Sequence, residues 1–185
     1  MTRPEVLRNV SQIIEPGDLW VFGYGSLMWR PGFDFAERSL STLRGFSRRL
    51  CVYSFNHRGT PEKPGLVMGL APGGSCKGVA YRVPAAGRDQ VYGYLTEREQ
   101  ITGVYLESMC KVQLEDGRLV TALAYLVDRS HRQYAGDLPR EELLRLVRQG
   151  VGRSGPCPDY IKNTAAHLEA IGIRDATLRW LAAQL

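Results

Sequence analysis

The sequence predicts an α+β fold. Strand-type segments fill the first two-thirds of the chain and helix-type segments the last third. Glu115-Asp116-Gly117-Arg118 separates two long strand-like runs, and Asp-Gly between such runs signals a hairpin. The 185 residues show no internal repeat, low-complexity tract or linker, so one domain over 1–185 is expected.

Thr2 and Glu5 have capping-box spacing, and Val6, Leu7, Val10, Ile13 and Ile14 recur at helical intervals. A short helix ended by Pro16-Gly17 is therefore expected. Leu19, Trp20, Val21 and Phe22 form a buried-strand run that passes into Gly23-Tyr24-Gly25-Ser26-Leu27-Met28-Trp29. The paired glycines should permit backbone angles closed to other residues and let a ligand approach the main chain. Residues 43–55 read as a strand that sends Arg48 and Arg49 to opposite faces. His57 to Gly65 is a turn-rich loop. Leu66–Leu70 and Gly78–Val83 read as two strands with a turn at Pro72-Gly73-Gly74-Ser75.

Asp89 to Gln100 reads as a helix with Val91, Leu95 and Glu99 at i, i+4 and i+8. Residues 104–114 and 119–127 are the hairpin strands. Pro139 opens a helix with Leu143, Leu144 and Val147 on one face, stopped by Gly150. Residues 158–171 and 174–183 are two further helices, split at Gly172.

Composition narrows the function classes. The hydrophobic content of 44% and charged content of 23% are ordinary for a soluble globular protein. Net charge is +5, carried by dispersed arginines, which suits small anions and lacks the basic clusters of a nucleic-acid binder. Cys51, Cys76, Cys110 and Cys157, like His57, His131 and His167, lack zinc-ligand spacing, so no metal is expected. No apolar run reaches membrane-spanning length, and residues 1–20 lack a signal-peptide core, so a cytoplasmic protein without membrane partners is expected.

Three features point to chemistry. Successive backbone N–H groups in the glycine turn could form an anion-binding nest, with the Ser26 hydroxyl and Tyr24 phenol beside it. Arg58, set among residues that fix backbone shape, could clamp an anion. Glu99 continues an apolar stripe into the last turn of its helix, where burial and the helix dipole both disfavour its charge. That is the environment of a catalytic base, whereas Glu97 points off the stripe.

Taken together, these residues resemble the ChaC family of glutathione-specific γ-glutamylcyclotransferases. The resemblance is carried in collinear order, over roughly 19–170, by six blocks. Val21 to Trp29 resembles the family's opening signature. His57-Arg58-Gly59-Thr60-Pro61 with Pro64-Gly65, then Gly78 to Pro84, are similar to the next two blocks. Tyr94-Leu95-Thr96-Glu97-Arg98-Glu99 resembles the block whose last glutamate is catalytic. Tyr134-Ala135-Gly136 and Gly152-Arg153-Ser154-Gly155 resemble later ones. The chain departs from the family pattern at Asn56, Leu66, Thr96 (usually aspartate) and Thr102-Gly103-Val104.

The resemblance implies a small closed β-barrel flanked by helices. It implies Glu99 as the catalytic residue, with Gly23, Tyr24, Gly25, Ser26, Leu27, Arg58 and Tyr134 against the substrate. The reaction it implies folds a γ-glutamyl amide so that its α-amine attacks its own γ-carbonyl, closing 5-oxoproline and expelling Cys-Gly from glutathione. One carboxylate with a raised pKa can take the proton from the attacking amine and return it to the leaving amine. The amides of Gly25, Ser26 and Leu27 could hold either a substrate carboxylate or the oxyanion. No cofactor is called for, and the expected partner is glutathione, with the chain a monomer or homodimer. A cyclotransferase for other γ-glutamyl amines or peptides is the neighbouring reading, and a non-catalytic binding module of the same fold is the reading from another class.

Overall fold

A computed structural model describes residues 16–185. The helix expected near the N-terminus lies outside the described residues. Five strands form a closed barrel in the order β1-β3-β2-β4-β5: β1 Leu19–Gly23, β2 Glu37–Ser54, β3 Gly65–Val83, β4 Tyr105–Leu114 and β5 Leu119–Val127. Strand β1 runs antiparallel to β3, with Leu19 opposite Val83 and Gly23 opposite Val79. Its other edge pairs parallel with β5, Trp20 opposite Ala122 and Val21 opposite Leu123, and this parallel pairing closes the barrel. The Asp-Gly hairpin forms as expected, and Gly117 takes the left-handed conformation its turn requires.

Contacts divide the chain into two units. Of the described residues, the first comprises 16–48 together with Leu70–Asp128; the second comprises Arg49–Gly69 and Arg129–Leu185. Strands β2 and β3 continue from one unit into the other.

In the first unit, helix α1 (Arg88–Glu99) buries Val91 and Leu95. Both join a cluster with Leu19, Val21, Leu27, Val83, Leu123 and Tyr125. Two expectations need correction here. Strand β2 begins at Glu37 rather than near residue 43. Residues 65–83 are one continuous strand, not two strands joined by a turn. Gly73 and Gly74 do adopt positive φ, 102° and 76°, but they bend the strand without ending it. Glycines inside a strand are a common way for a barrel sheet to turn a corner.

The second unit holds helices α2 (Arg140–Gln149), α3 (Cys157–Ala170) and α4 (Ala176–Gln184), with a two-residue ladder of β6 (Val151–Gly152) and β7 (Gly155–Pro156). The buried face of α2 is Leu143, Leu146 and Val147; Leu144, expected there, is only half-buried. The Asp175 side chain accepts the Leu178 N–H at 3.0 Å and caps α4. All four cysteines are buried thiols outside any disulfide. No described helix is long and apolar enough to cross a membrane.

Candidate active site

Strand β1 ends at Gly23, and the chain then closes a single 3-10 turn over Ser26–Met28. The Met28 N–H donates to the Gly25 carbonyl at 2.9 Å and the Arg30 N–H to the Ser26 carbonyl at 2.8 Å. The first amides of such a turn have no acceptor within it. Two barrel side chains hold the turn from behind. Arg48 Nε donates to the Tyr24 carbonyl at 2.6 Å. The buried Tyr81 hydroxyl lies 3.0 and 2.7 Å from the Leu27 and Met28 carbonyls.

The two glycines differ from expectation. Neither Gly23 nor Gly25 has a positive φ. Gly23 is needed for close packing, because a Cβ there would stand 2.9 Å from Leu27 Cβ. A Cβ on Gly25 would meet no protein atom within 4 Å, so its face of the turn is open. Tyr24 is 8% exposed and Leu27 6%, so both rest largely in the core, while Ser26 is exposed. Leu27 presents backbone on one side and anchors the turn to the apolar stripe of α1 on the other.

Glu99 is the last residue of α1, one turn beyond Leu95 on that stripe, with a side chain 20% exposed. Burial pushes its carboxyl above the usual range, and the neighbouring Arg98 cation partly opposes the shift. Glu97 is exposed. Arg98, which sequence reasoning did not single out, connects the carboxylate to the turn. Its Nε lies 3.2 Å from Glu99 Oε1, and its Nη2 donates to Ser26 Oγ at 2.9 Å. Its Nη1 reaches the carbonyls of Arg30 and Pro31 at 2.8 and 3.1 Å. One guanidinium thus touches both the candidate base and the candidate cradle. Two signals were available for it: a basic residue in the last turn of a helix is favoured by the dipole, and Arg98 stands inside the block that resembles the family's catalytic motif.

A second carboxylate also went unnoticed in the sequence. Glu107 on β4 accepts from the Tyr92 hydroxyl at 2.8 Å and the Tyr125 hydroxyl at 3.3 Å. Thr96 Oγ1, one of the family departures, lies 3.3 Å from Glu107 and 2.9 Å from the Tyr92 carbonyl.

Arg58 and Tyr134 belong to the second unit. Arg58 Nη1 donates to the Ser154 carbonyl at 2.6 Å, and the guanidinium lies 5.4 Å over the Tyr160 ring. His57 Nδ1 is 2.9 Å from Ser154 Oγ, and its Nε2 is 3.2 Å from Arg153 Nη2. Burial, then the Arg153 and Arg58 charges, lower the His57 pKa. Two separate blocks of the resemblance, His57-Arg58 and Arg153-Ser154, therefore meet in space. Tyr134 forms an isolated bridge with Val52. Among the described residues no three of His, Cys, Asp and Glu gather as metal ligands.

A family model described as ChaC-like protein matches residues 19–185. The glutathione-specific γ-glutamylcyclotransferase of Escherichia coli K12 is 37% identical over 161 residues, covering 87% of this chain and 70% of that protein. The enzyme of the same description from Schizosaccharomyces pombe is 39% identical over 158 residues, covering 75% and 77%. A crystal structure described as a γ-glutamylcyclotransferase specific to glutathione from yeast superposes with a TM-score of 0.81 at 23% identity, covering 90% of this chain and 95% of that one, which shows the fold. With the family match running from the first barrel strand to the last residue, and relatives this similar along most of their length, the chain belongs to the ChaC family.

Proposed function

We propose that this chain is a γ-glutamylcyclotransferase that converts glutathione to 5-oxoproline and Cys-Gly, with Glu99 as its general base and acid. The observation that carries the reading is the half-buried Glu99 carboxylate, raised in pKa and joined by one arginine to the glycine turn. The names of the bacterial and fission-yeast relatives support the choice of substrate.

The chemistry follows from the substrate. Its α-ammonium gives a proton to the Glu99 carboxylate, and the freed amine attacks the γ-carbonyl carbon. The carbonyl oxygen gains negative charge, for which backbone N–H donors at Gly25, Ser26 and Leu27 are suited. As the C–N bond to the cysteinyl residue breaks, Glu99 returns that proton to the leaving nitrogen, and a second proton passes from the ring nitrogen to the same leaving nitrogen, so that 5-oxoproline keeps one N–H and Cys-Gly departs as an ammonium. One bond forms, one breaks, and no water is consumed. Because both reacting groups belong to one molecule, holding the folded conformer supplies much of the rate. A carboxyl with a raised pKa is matched to this double transfer better than an ordinary one. The family resemblance implies Arg58 and Tyr134 as substrate contacts too, and the whole chain is read as one cyclotransferase domain.

Incubating the purified protein with glutathione tests the reading. Equimolar 5-oxoproline and Cys-Gly are expected. Free glutamate in place of 5-oxoproline would show hydrolysis, and no turnover of any γ-glutamyl compound that binds would show a binding module.

A further inference from the structure

Arg48 on β2 works where the β1–β3 ladder stops. The last pair of that ladder is Gly23 with Val79. Past it, one side chain reaches a carbonyl on each side. Arg48 Nε donates to the Tyr24 carbonyl and its Nη2 to the Lys77 carbonyl, each at 2.6 Å. The same Nη2 lies 3.9 Å from Met28 Sδ, so the guanidinium touches both the start and the end of the glycine turn. A guanidinium is a rigid planar fork that only donates, and anchoring it on Lys77 leaves it little freedom at Tyr24. Arg49, the next residue along β2, pairs with Asp137 at 2.6 Å instead.

A trans peptide group is planar, so its C=O and N–H point in opposite directions. The Tyr24 carbonyl and the Gly25 N–H belong to one such group. Holding the carbonyl on Arg48 therefore turns the Gly25 N–H away from Arg48. A Cβ on Gly25 would meet no protein atom within 4 Å, so this residue has open space beside it. A charged donor on the carbonyl also polarises the peptide group, which strengthens its N–H as a donor in turn.

We propose that Arg48 is a positioning residue for the reaction: it aims and strengthens the Gly25 N–H as a donor to the γ-carbonyl oxygen while that oxygen gains charge. The proposal rests on the cyclotransferase reading and deepens it. In this role Arg48 touches no reacting atom and acts through a single peptide group. The oxygen carries its full charge only in the tetrahedral stage, so a badly aimed N–H costs turnover more than it costs binding.

The test pairs kinetics with the amide signal of Gly25. Arg48→Met removes the donors and keeps a long side chain. Deleting an oxyanion donor outright costs roughly 10²–10³-fold in kcat, and a donor left in place but misdirected should cost about ten- to hundredfold, with KM for glutathione within about twofold of the parent. Arg48→Lys keeps a cationic donor without the fork, so its kcat should fall between those of Arg48→Met and the parent. Arg49→Met should stay near the parent. The spectroscopic probe is 5-oxoproline, whose lactam oxygen is the former γ-carbonyl oxygen. Adding it should move the Gly25 ¹⁵N–¹H signal in the parent and leave it in place in Arg48→Met, where the signal already starts from a different position. Parental kcat in a folded Arg48→Met, or a raised KM at parental kcat, would overturn the proposal. So would a Gly25 signal identical in parent and variant. Should Arg48→Met fail to fold, the same criteria apply to Arg48→Lys. Inactivity of the parent on glutathione would count against the cyclotransferase reading, and the Gly25 signal of the two proteins without ligand would still decide whether Arg48 sets that amide.

Discussion

Gly23 and Gly25 are two residues apart and carry different burdens. At Gly23 a methyl group would collide with Leu27, so Gly23→Ala should lower the melting temperature. At Gly25 the space is open, so Gly25→Ala should fold like the parent yet lose turnover, because the substrate is proposed to fill that space. Thermal melts paired with glutathione assays separate the two effects, and parental activity in Gly25→Ala would reject the cradle. The raised pKa of Glu99 also has a consequence for stability. In the window between the ordinary value of about 4.3 and the raised folded value, the folded chain keeps a proton that the unfolded chain has released. Glu99 therefore costs stability as pH rises through that window. Glu99→Gln should melt higher than the parent at neutral pH, and the difference should vanish in acid.

Helix α1 is the element on which the site depends. Arg98 ties it to the loop through Ser26, Arg30 and Pro31 while also holding down the Glu99 pKa. Removing the cation in Arg98→Met should move the lower inflection of the kcat/KM profile to higher pH. An unmoved inflection, measured across the acid limb, would place the titrating group elsewhere. Helix α1 and its stripe were legible in the sequence because period and burial agree: Val91 and Leu95 are buried, Glu97 is exposed, and Glu99 lies between. Strand β3 was not, because Pro72-Gly73-Gly74 carries the signature of a turn whether it reverses a strand or only bends it. Glu107 was hidden for a different reason. Its hydrogen-bond partners are Tyr92, Thr96 and Tyr125, and the hydroxyls of Tyr92 and Thr96 reach it only after α1 packs over the sheet.

At the scale of the whole molecule, the order of strands then helices was readable, and the parallel β1–β5 pairing that closes the barrel was not, since pairing of distant strands leaves no local mark. The reaction itself makes a demand on the substrate. Cyclisation needs a free α-amine, so N-acetyl-glutathione, blocked at the γ-glutamyl nitrogen, should release no Cys-Gly. Release at the glutathione rate would mean that water, not the amine, attacks.

The most direct measurement is 5-oxoproline release from glutathione by the parent, Glu99→Gln and Glu97→Gln side by side. Glutamine keeps the shape of Glu99 but cannot carry a proton. Turnover by Glu99→Gln should fall toward the upper part of the roughly 10²–10⁴-fold range for a lost acid–base group, because one carboxylate serves both transfers. Glu97→Gln, on the exposed side of α1, should stay near the parent. Parental 5-oxoproline release by a folded Glu99→Gln would contradict the account.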